Sequence, residues 1–358
     1  MTVEDIYLSL QGQTMVIPDL KPVYAQWASG LSPFYEDLVP IVDATIERWV
    51  EDPKAREKCK AIDLAFFTAA VYPKAEWERL KLMAIFTVAV FVLDDAIDKE
   101  VDKTVDDYAS NYAAASALRK DCAAFMKEQL KVGDGQARPS TDAPKQFGAF
   151  ASVADILLKA DPRQAQIPIL AKDLEEFIYA SGPEQQFKLA GKLPTVDDYW
   201  SWRHGVGAVF AYATLHQYVT DTLLPAELAW SEEVRTMTIE TSANPSLCND
   251  LYSLKKEIKE RSVTNMVPIL LNDSEQTLDS AISSVVNQLY VSAEKFDSAV
   301  ESLRAKGRAH DTKIQEQLEK FIEAFQTFQT GCFHFYLRSK RFGIQPFQQS
   351  DGSFKIPL

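Results

Sequence analysis

Three carboxylates stand at the end of an apolar stretch of the chain, at Asp94, Asp95 and Asp98. On a helix, residues at positions i, i+1 and i+4 point to one side, so their oxygens can share a ligand. The preceding residues 82–93 are apolar apart from Thr87, and a helix that is apolar all round is buried. A buried helix that ends in three carboxylates must place that end in a wet cavity or beside cations, because unpaired buried charges are very costly. We therefore expect the mouth of a cavity here, with solvated or helix-capping carboxylates as the alternative.

A second run of polar side chains has ligand spacing further along the chain. Asn249, Ser253 and Glu257 stand at i, i+4 and i+8, which drifts only ~80° around a helix axis. Asn and Ser are mediocre in a helix interior, because they compete for backbone hydrogen bonds. Both runs offer oxygen ligands without His or Cys, which suits Mg²⁺ bound partly by water and partly by phosphate rather than Zn²⁺. With Lys255 and Lys256 alongside, the pattern predicts a Mg²⁺–diphosphate site, and an ordinary surface helix is the alternative.

The two runs together resemble the aspartate-rich motif and the Asn/Ser/Glu motif of class I terpene synthases. The resemblance implies an all-α bundle with a central apolar cavity, and it covers most of the chain, from about residue 72 to residue 343. It also implies three Mg²⁺ ions, for which Mn²⁺ can substitute. The implied ligands are Asp94 and Asp98 for two ions and Asn249, Ser253 and Glu257 for the third. The resemblance gives Asp250 no ligand role, so we expect it to be a structural group.

A third segment, DDYWSWRHGVGAVF, is similar to the region of the family that senses diphosphate. The resemblance implies that Arg203 is the sensor, Val206 the linker and Gly207 the effector whose backbone carbonyl faces the substrate. The linker is commonly polar in the family, so Val206 is a departure that removes a side-chain hydrogen bond to the sensor. Gly205 and Gly207 each weaken a helix by roughly 1 kcal/mol. We therefore predict a helix break at this point, which frees carbonyls to point into a cavity.

Near the C-terminus, FHFYLRSKRFG resembles the closing Arg-Tyr pair of the family. Arg341 matches the Arg, while Phe342 replaces the Tyr and removes a phenolic donor. Phe335 stands where the family often has Trp. By the same resemblance, Lys256 touches the diphosphate together with Arg203 and Arg341.

The implied reaction is Mg²⁺-dependent ionisation of a prenyl diphosphate, followed by cyclisation inside an apolar wall. Farnesyl diphosphate, giving a sesquiterpene, is our first expectation, and geranylgeranyl or geranyl diphosphate is the alternative. A prenyl-chain-elongating transferase would need a second Asp-rich motif where NDLYSLKKE stands, and a non-catalytic all-α protein would have no reason to keep both runs. Core packing is the alternative role for each aromatic candidate for the wall. The candidates are Phe66, Phe67, Phe91, Trp202, Phe335 and Tyr336.

Composition and charge indicate which kinds of partner and which cellular compartment to expect. The chain has 358 residues and a net charge of −13, so nucleic acid and anionic membrane surfaces are poor partners. Its four cysteines have no framework spacing and are expected to be reduced thiols. We see no secretory signal and no transmembrane segment, and therefore expect a cytoplasmic protein without membrane insertion. Nothing in the sequence indicates an oligomeric state.

Helical periodicity dominates the chain, and we expect one domain over residues 1–358. The segment 1–30 is less diagnostic, and 344–358 is expected to be a C-terminal tail. Residues 131–145 should form a surface loop, and the Gly-Pro pair at 182–183 should mark a turn. The predicted helices are 34–50, 54–71, 75–98, 105–131, 146–160, 168–181, 195–220, 226–259, 275–305 and 311–338.

Overall fold

The chain folds as a bundle of α-helices. The computed structural model describes residues 3–98, 108, 110–133, 147–160, 166–260, 264–274 and 276–358, with the backbone alone for residues 96–98, 160, 260, 273 and 274. The all-α prediction is confirmed. The helices are α1 Val3–Leu10, α2 Lys21–Tyr24, α3 Tyr35–Trp49, α4 Pro53–Ile62, α5 Leu64–Val71, α6 Trp77–Asp98, α7 Tyr112–Gln129, α8 Phe150–Ala160, α9 Ile167–Ala190, α10 Val196–Val206, α11 Val209–Val219, α12 Ala226–Ala229, α13 Glu232–Glu260, α14 Met266–Ser274, α15 Leu278–Gly307 and α16 Thr312–Arg338.

The predicted helix over 54–71 is wrong, because the structure divides it into α4 and α5. Asp63 between them has a left-handed backbone, with φ of 66°. Asp is one of the few residues that visits this region readily. Its carboxylate accepts a hydrogen bond from the Phe66 amide at 3.0 Å, so the same residue ends one helix and caps the next.

The turn expected at 182–183 is also wrong, because α9 continues through Pro183 to Ala190. This helix packs against α10 and α7, and Glu184 and Gln185 are buried in it. Tertiary packing here outweighs the cost of proline in a helix interior. Further along, the predicted helix over 226–259 is two helices, α12 and α13, and α14 was not predicted. The loop expected over 131–145 lies outside the described residues beyond Gly133.

The helix break predicted at the paired glycines is present. α10 ends at Val206, α11 begins at Val209, and Ala208 between them has φ of 53°. Helical hydrogen bonding resumes when the Tyr212 amide donates to the Ala208 carbonyl at 3.1 Å. The break therefore interrupts the helical hydrogen-bond ladder at Gly207, whose amide donates to the Gly205 carbonyl.

The two ends of the chain meet in a small antiparallel sheet that the sequence did not indicate. Strand β1 Thr14–Ile17 pairs with β2 Phe354–Pro357, with Ile17 opposite Phe354. The Nζ of Lys255 donates to the Pro357 carbonyl, so the C-terminal strand is also fixed to α13. The tail expected at 344–358 is thus an ordered part of the bundle. Buried side chains from both ends join one hydrophobic core.

No helix within the described ranges is both long enough and apolar enough to cross a bilayer.

Candidate active site

A cavity of about 390 Å³ lies among α5, α6, α9, α10, α11, α13 and α16. Its inner wall is aromatic. Phe67 is central to that wall, because its ring lies edge-to-face against Phe335 at 5.2 Å and Phe91 at 5.9 Å between centroids. It contacts Phe328 in the same way at 6.3 Å, and Tyr212 is 5.2 Å from Phe328. Such contacts fix the rings and give the cavity a defined apolar shape.

Charged and polar groups from four helices and the C-terminal segment line the same cavity. The structure thus brings together most of the site residues that the sequence singled out, although they are up to about 270 positions apart. They are Asp94, Arg203, Gly207, Asn249, Lys256, Glu257, Arg341, Phe67, Phe91, Phe335 and Tyr336. The cavity is therefore lined by aromatic and by ionic side chains, which we call its aromatic side and its ionic side.

The aspartate-rich run lies at the C-terminal end of α6. Asp94 and Asp95 are half-buried and line the cavity. A carboxylate oxygen of Asp95 is 3.7 Å from a guanidinium nitrogen of Arg341. The side chain of Asp98, the second predicted metal ligand of this run, lies outside the described residues. The first two carboxylates of this run therefore lie at a cavity, and their place at its mouth stays a prediction.

The Asn/Ser/Glu run lies on α13. Asn249 and Glu257 are half-buried and line the cavity. Ser253 is 2% exposed and does not line the cavity, and its hydroxyl has no hydrogen-bond partner among the described residues. A buried hydroxyl without a partner is uncommon and calls for an explanation. An amide, a hydroxyl and a carboxylate oxygen on one helix face suit a hard divalent cation, so this donor set fits Mg²⁺.

Within the described ranges, which leave out the side chain of Asp98, no three His, Cys, Asp or Glu side chains converge as a metal cluster. The predicted donor set combines carboxylates with the neutral oxygens of Asn249 and Ser253. That mixture is typical of oxygen-ligand cations that keep several waters.

Arg203 is held by a buried polar network. Its Nη2 is 3.0 Å from Asp250 Oδ1 and donates to Asn249 Oδ1 at 3.4 Å. Its Nε donates to the Tyr199 hydroxyl at 3.0 Å, which donates in turn to Asp250 Oδ2 at 2.8 Å. The amide of Met266 donates to the same oxygen at 2.7 Å. Asp250 is thus a structural partner of the arginine, as expected for a residue to which the resemblance gives no ligand role.

Burial and charge act in opposite directions on Asp250. Burial raises the pKa of this carboxyl, and the nearby guanidinium of Arg203 opposes that rise.

Val206, the apolar residue at the linker position, lines the cavity. The contacts to Asp250 and Tyr199 fix Arg203 without a polar side chain at residue 206.

Two ionic residues of the cavity were missed by sequence reasoning. Glu184 and Lys188 on α9 line it and form an ion pair at 3.0 Å, and the Thr264 hydroxyl donates to Glu184 at 2.8 Å. Burial alone would raise the pKa of Glu184, but the charge of Lys188 and the Thr264 hydrogen bond hold it below its ordinary value. Their i, i+4 spacing is typical of an ion pair on a helix. The helix predicted over 168–181 ends before both residues, so the sequence did not indicate the pair.

Two of the predicted wall residues do not line the cavity. Phe66 is next to Phe67 on α5 and faces the other way, with the Arg338 guanidinium 4.4 Å above its ring. Trp202 is next to Arg203 on α10 and packs against Phe187, with ring centroids 5.2 Å apart. Adjacent helix residues are about 100° apart, and in these two pairs Phe67 and Arg203 are the members that line the cavity. Both assignments to the wall were wrong.

Phe342 lines the cavity beside Arg341. It is 5% exposed and its ring lies edge-to-face against Tyr336 at 5.4 Å and Phe335 at 6.2 Å. Arg338, the other arginine of this segment, lies outside the cavity, with its Nε 3.6 Å from Asp63. Arg341 is therefore the arginine of this segment that faces the ionic side.

Known proteins resemble this chain along most of its length. Residues 86–295 match the family described as terpene synthase family 2, C-terminal metal binding. The sesquiterpene cyclase hepA of Aspergillus oryzae is 26% identical over 354 residues, which cover 96% of this chain and 92% of that protein. The (+)-eremophilene synthase of Sorangium cellulosum is 25% identical over 242 residues, 66% of this chain and 67% of that protein.

Solved structures share the fold. Germacradien-4-ol synthase from Streptomyces citricolor superposes with a TM-score of 0.71 at 17% identity, covering 87% of this chain and 96% of that one. Linalool/nerolidol synthase from Streptomyces clavuligerus gives a TM-score of 0.71 at 20% identity, with 87% and 100% covered.

Proposed function

The chain belongs to terpene synthase family 2, and from this premise we propose that it ionises and cyclises farnesyl diphosphate with Mg²⁺ and releases diphosphate. It is a class I terpene cyclase by family, and the metal, the substrate and the residue roles are our proposal. The observation that carries the proposal is that aromatic rings and ionic groups line one cavity. A prenyl diphosphate combines the same two properties in its apolar chain and its charged head group.

The ionic side would bind the head group. Asp94 and Asp98 at the end of α6, and Asn249, Ser253 and Glu257 on α13, would hold three Mg²⁺ ions. The unpartnered hydroxyl of Ser253 supports this assignment. Bound Mg²⁺ would stabilise the charge that develops on the departing diphosphate.

The cations of the chain itself would act on the same group. The guanidinium of Arg203 is pre-oriented by Asp250 and Tyr199, so its planar fork can bind phosphate oxygens without searching for an orientation. Lys256 and Arg341 line the same side of the cavity and would bind the diphosphate with it. Lys188, which the sequence did not indicate, is a fourth cation there.

The aromatic side would hold the carbocation. Phe67, Phe91, Phe335 and Tyr336 line the cavity, and the face of a desolvated ring stabilises a cation by about 2 kcal/mol. The wall also excludes water, which would otherwise end the reaction early. Gly207 lines the cavity at the break between α10 and α11, where its carbonyl dipole can face positive charge.

The relatives support a substrate of fifteen carbons. The Aspergillus oryzae protein is named a sesquiterpene cyclase, and sesquiterpenes have that number of carbons. Geranyl diphosphate is the second candidate, because the linalool/nerolidol synthase of the same fold has been solved with 2-fluorogeranyl diphosphate. Geranylgeranyl diphosphate, with its longer chain, would need a larger cavity.

The metal assignment is tested with Asp94→Asn and Glu257→Gln. Each variant should fold with nearly the wild-type melting temperature and lose at least about 100-fold in Mg²⁺-dependent turnover, since electrostatic stabilisation of this kind is worth several kcal/mol. Asp155→Asn is a matched control, because Asp155 is an exposed carboxylate paired with Lys159 on α8. Wild-type rates in both site variants, or full activity in EDTA, would contradict the assignment.

A further inference from the structure

Three consecutive residues before and at the start of α14 each donate a hydrogen bond to a carboxylate near the ionic side of the cavity. The Thr264 hydroxyl donates to Glu184 at 2.8 Å. The side-chain amide of Asn265 donates to Glu257 Oε2 at 2.7 Å. The backbone amide of Met266 donates to Asp250 Oδ2 at 2.7 Å. None of the three donors belongs to a predicted motif.

Asn265 is the most constrained of the three. It is fully buried, and its Nδ2 also donates to the Asp250 carbonyl at 2.8 Å. Its Oδ1 accepts from the Val267 amide at 2.9 Å. Both N–H bonds and the carbonyl oxygen of the amide are therefore used, and a flipped amide would lose all three contacts.

The contact places Asn265 directly behind a proposed metal ligand. Glu257 carries three side-chain torsions, so without a partner its carboxylate can take several orientations. The bond from Asn265 fixes one oxygen and thereby orients the other. Carboxylates that bind metals are commonly oriented by such outer partners, whose loss typically costs 10–100-fold in metal affinity.

We propose that Asn265 is a positioning residue for Mg²⁺ binding: its amide ties Glu257 to the backbone of α13 at Asp250 and presents the Glu257 carboxylate to the cation. This inference rests on the proposed metal role of Glu257. It adds a residue outside both metal-ligand runs, eight positions after the last of them. Thr264 and Met266 likewise donate hydrogen bonds to Glu184 and to Asp250, the partner of Arg203.

A matched control on α13 distinguishes the proposed positioning role of Asn265 from a purely structural role. Asn244 is also fully buried, its Nδ2 donates to the Leu289 carbonyl at 3.3 Å, and its Oδ1 accepts from the Tyr24 hydroxyl at 2.7 Å. Asn265→Ala and Asn244→Ala therefore remove the same kind of side chain from equally buried positions. Both should lower the melting temperature in the absence of ligands.

The experiment titrates Mg²⁺ against each protein at fixed inorganic diphosphate and follows the rise in melting temperature. We expect the Mg²⁺ concentration at half of the full rise to increase about 10-fold or more in Asn265→Ala and to stay at the wild-type value in Asn244→Ala. Saturating Mg²⁺ should restore the full rise in Asn265→Ala. If Asn265→Ala does not fold, Asn265→Ser replaces it, since serine is too short to bridge Glu257 and Asp250.

If Asn265→Ala and Asn244→Ala reach half of the full rise at the same Mg²⁺ concentration while the wild type responds normally, the role proposed for Asn265 is wrong and the proposed metal function stands. A wild-type protein without any Mg²⁺-dependent response to diphosphate would overturn the proposed metal function, and the inference with it.

Discussion

Replacing Asp250 with asparagine should destabilise the protein and weaken its hold on diphosphate. Asp250 is 1% exposed at its side chain and pairs with Arg203 at 3.0 Å. The substitution preserves size and removes the charge. It also turns one oxygen that accepts hydrogen bonds into a donor.

The magnitude follows from the contacts. If the one side-chain oxygen left in Asp250→Asn faces Arg203, the new amide nitrogen meets the Met266 amide, which in the wild type donates to Asp250 Oδ2 at 2.7 Å. One buried donor then loses its partner, and the Arg203 charge loses its counter-charge. Breaking a buried ion pair by removing one partner costs about 3–5 kcal/mol. For a chain of 358 residues, that corresponds to a fall of about 4–7 °C in melting temperature.

Glu319→Gln is the matched control. Glu319 accepts from Arg304 Nε at 2.9 Å and from Nη2 at 2.8 Å, but this pair is exposed. Exposed pairs contribute at most about 1 kcal/mol, so the control should melt within about 2 °C of wild type. Differential scanning fluorimetry of both variants, with and without Mg²⁺ and diphosphate, measures the two effects. An Asp250→Asn protein that melts with the control and binds diphosphate as wild type does would refute the role given to this pair.

Three further outcomes are expected. Phe342→Tyr should tighten Mg²⁺-dependent diphosphate binding by about 10-fold, since a hydrogen bond to a charged group contributes about 1.5 kcal/mol or more; weaker binding with a lower melting temperature would instead show that the added hydroxyl is buried without a partner. Arg203→Lys should bind diphosphate more weakly in calorimetry, because an ammonium cannot reproduce the planar fork, and wild-type affinity would contradict its role. Burial lowers the pKa of His216 to about 3 from an ordinary 6.5, so the folded protein binds fewer protons than the unfolded chain between these values, and this residue's contribution to stability is lost as pH falls. Between pH 6.5 and pH 5 the free energy of unfolding should therefore fall by about 2 kcal/mol less in His216→Leu than in the wild type, as measured by urea unfolding. The same dependence of this free energy on pH in both proteins would refute this.

Local rules explain most of what the sequence predicted correctly. The two ligand runs follow helical spacing, and the helices that carry them are long, with 22 residues in α6 and 29 in α13. The break after Val206 follows from two glycines in three residues. These features depend on backbone preferences that act within a few residues.

Features that depend on distant contacts could not be read from the sequence. Whether Phe66 or Phe67 faces the cavity depends on the rotation of α5, which packing against α16 sets. Proline at 183 reads as a helix end, but α9 continues through it and packs against α7 and α10. Asn265 has no local signal, since its partners, the Glu257 carboxylate and the Asp250 carbonyl, are meaningful only after the chain has turned back on α13.

The most direct measurement is product analysis. Purified protein is incubated with Mg²⁺ and, separately, geranyl, farnesyl and geranylgeranyl diphosphate, and volatile products are identified by gas chromatography and mass spectrometry. We predict cyclic products of fifteen carbons from farnesyl diphosphate, with release of inorganic diphosphate and no reaction in EDTA. Longer prenyl diphosphates as the main product, or no turnover of any of the three substrates with Mg²⁺ present, would contradict the assignment of this cavity to prenyl diphosphate cyclisation.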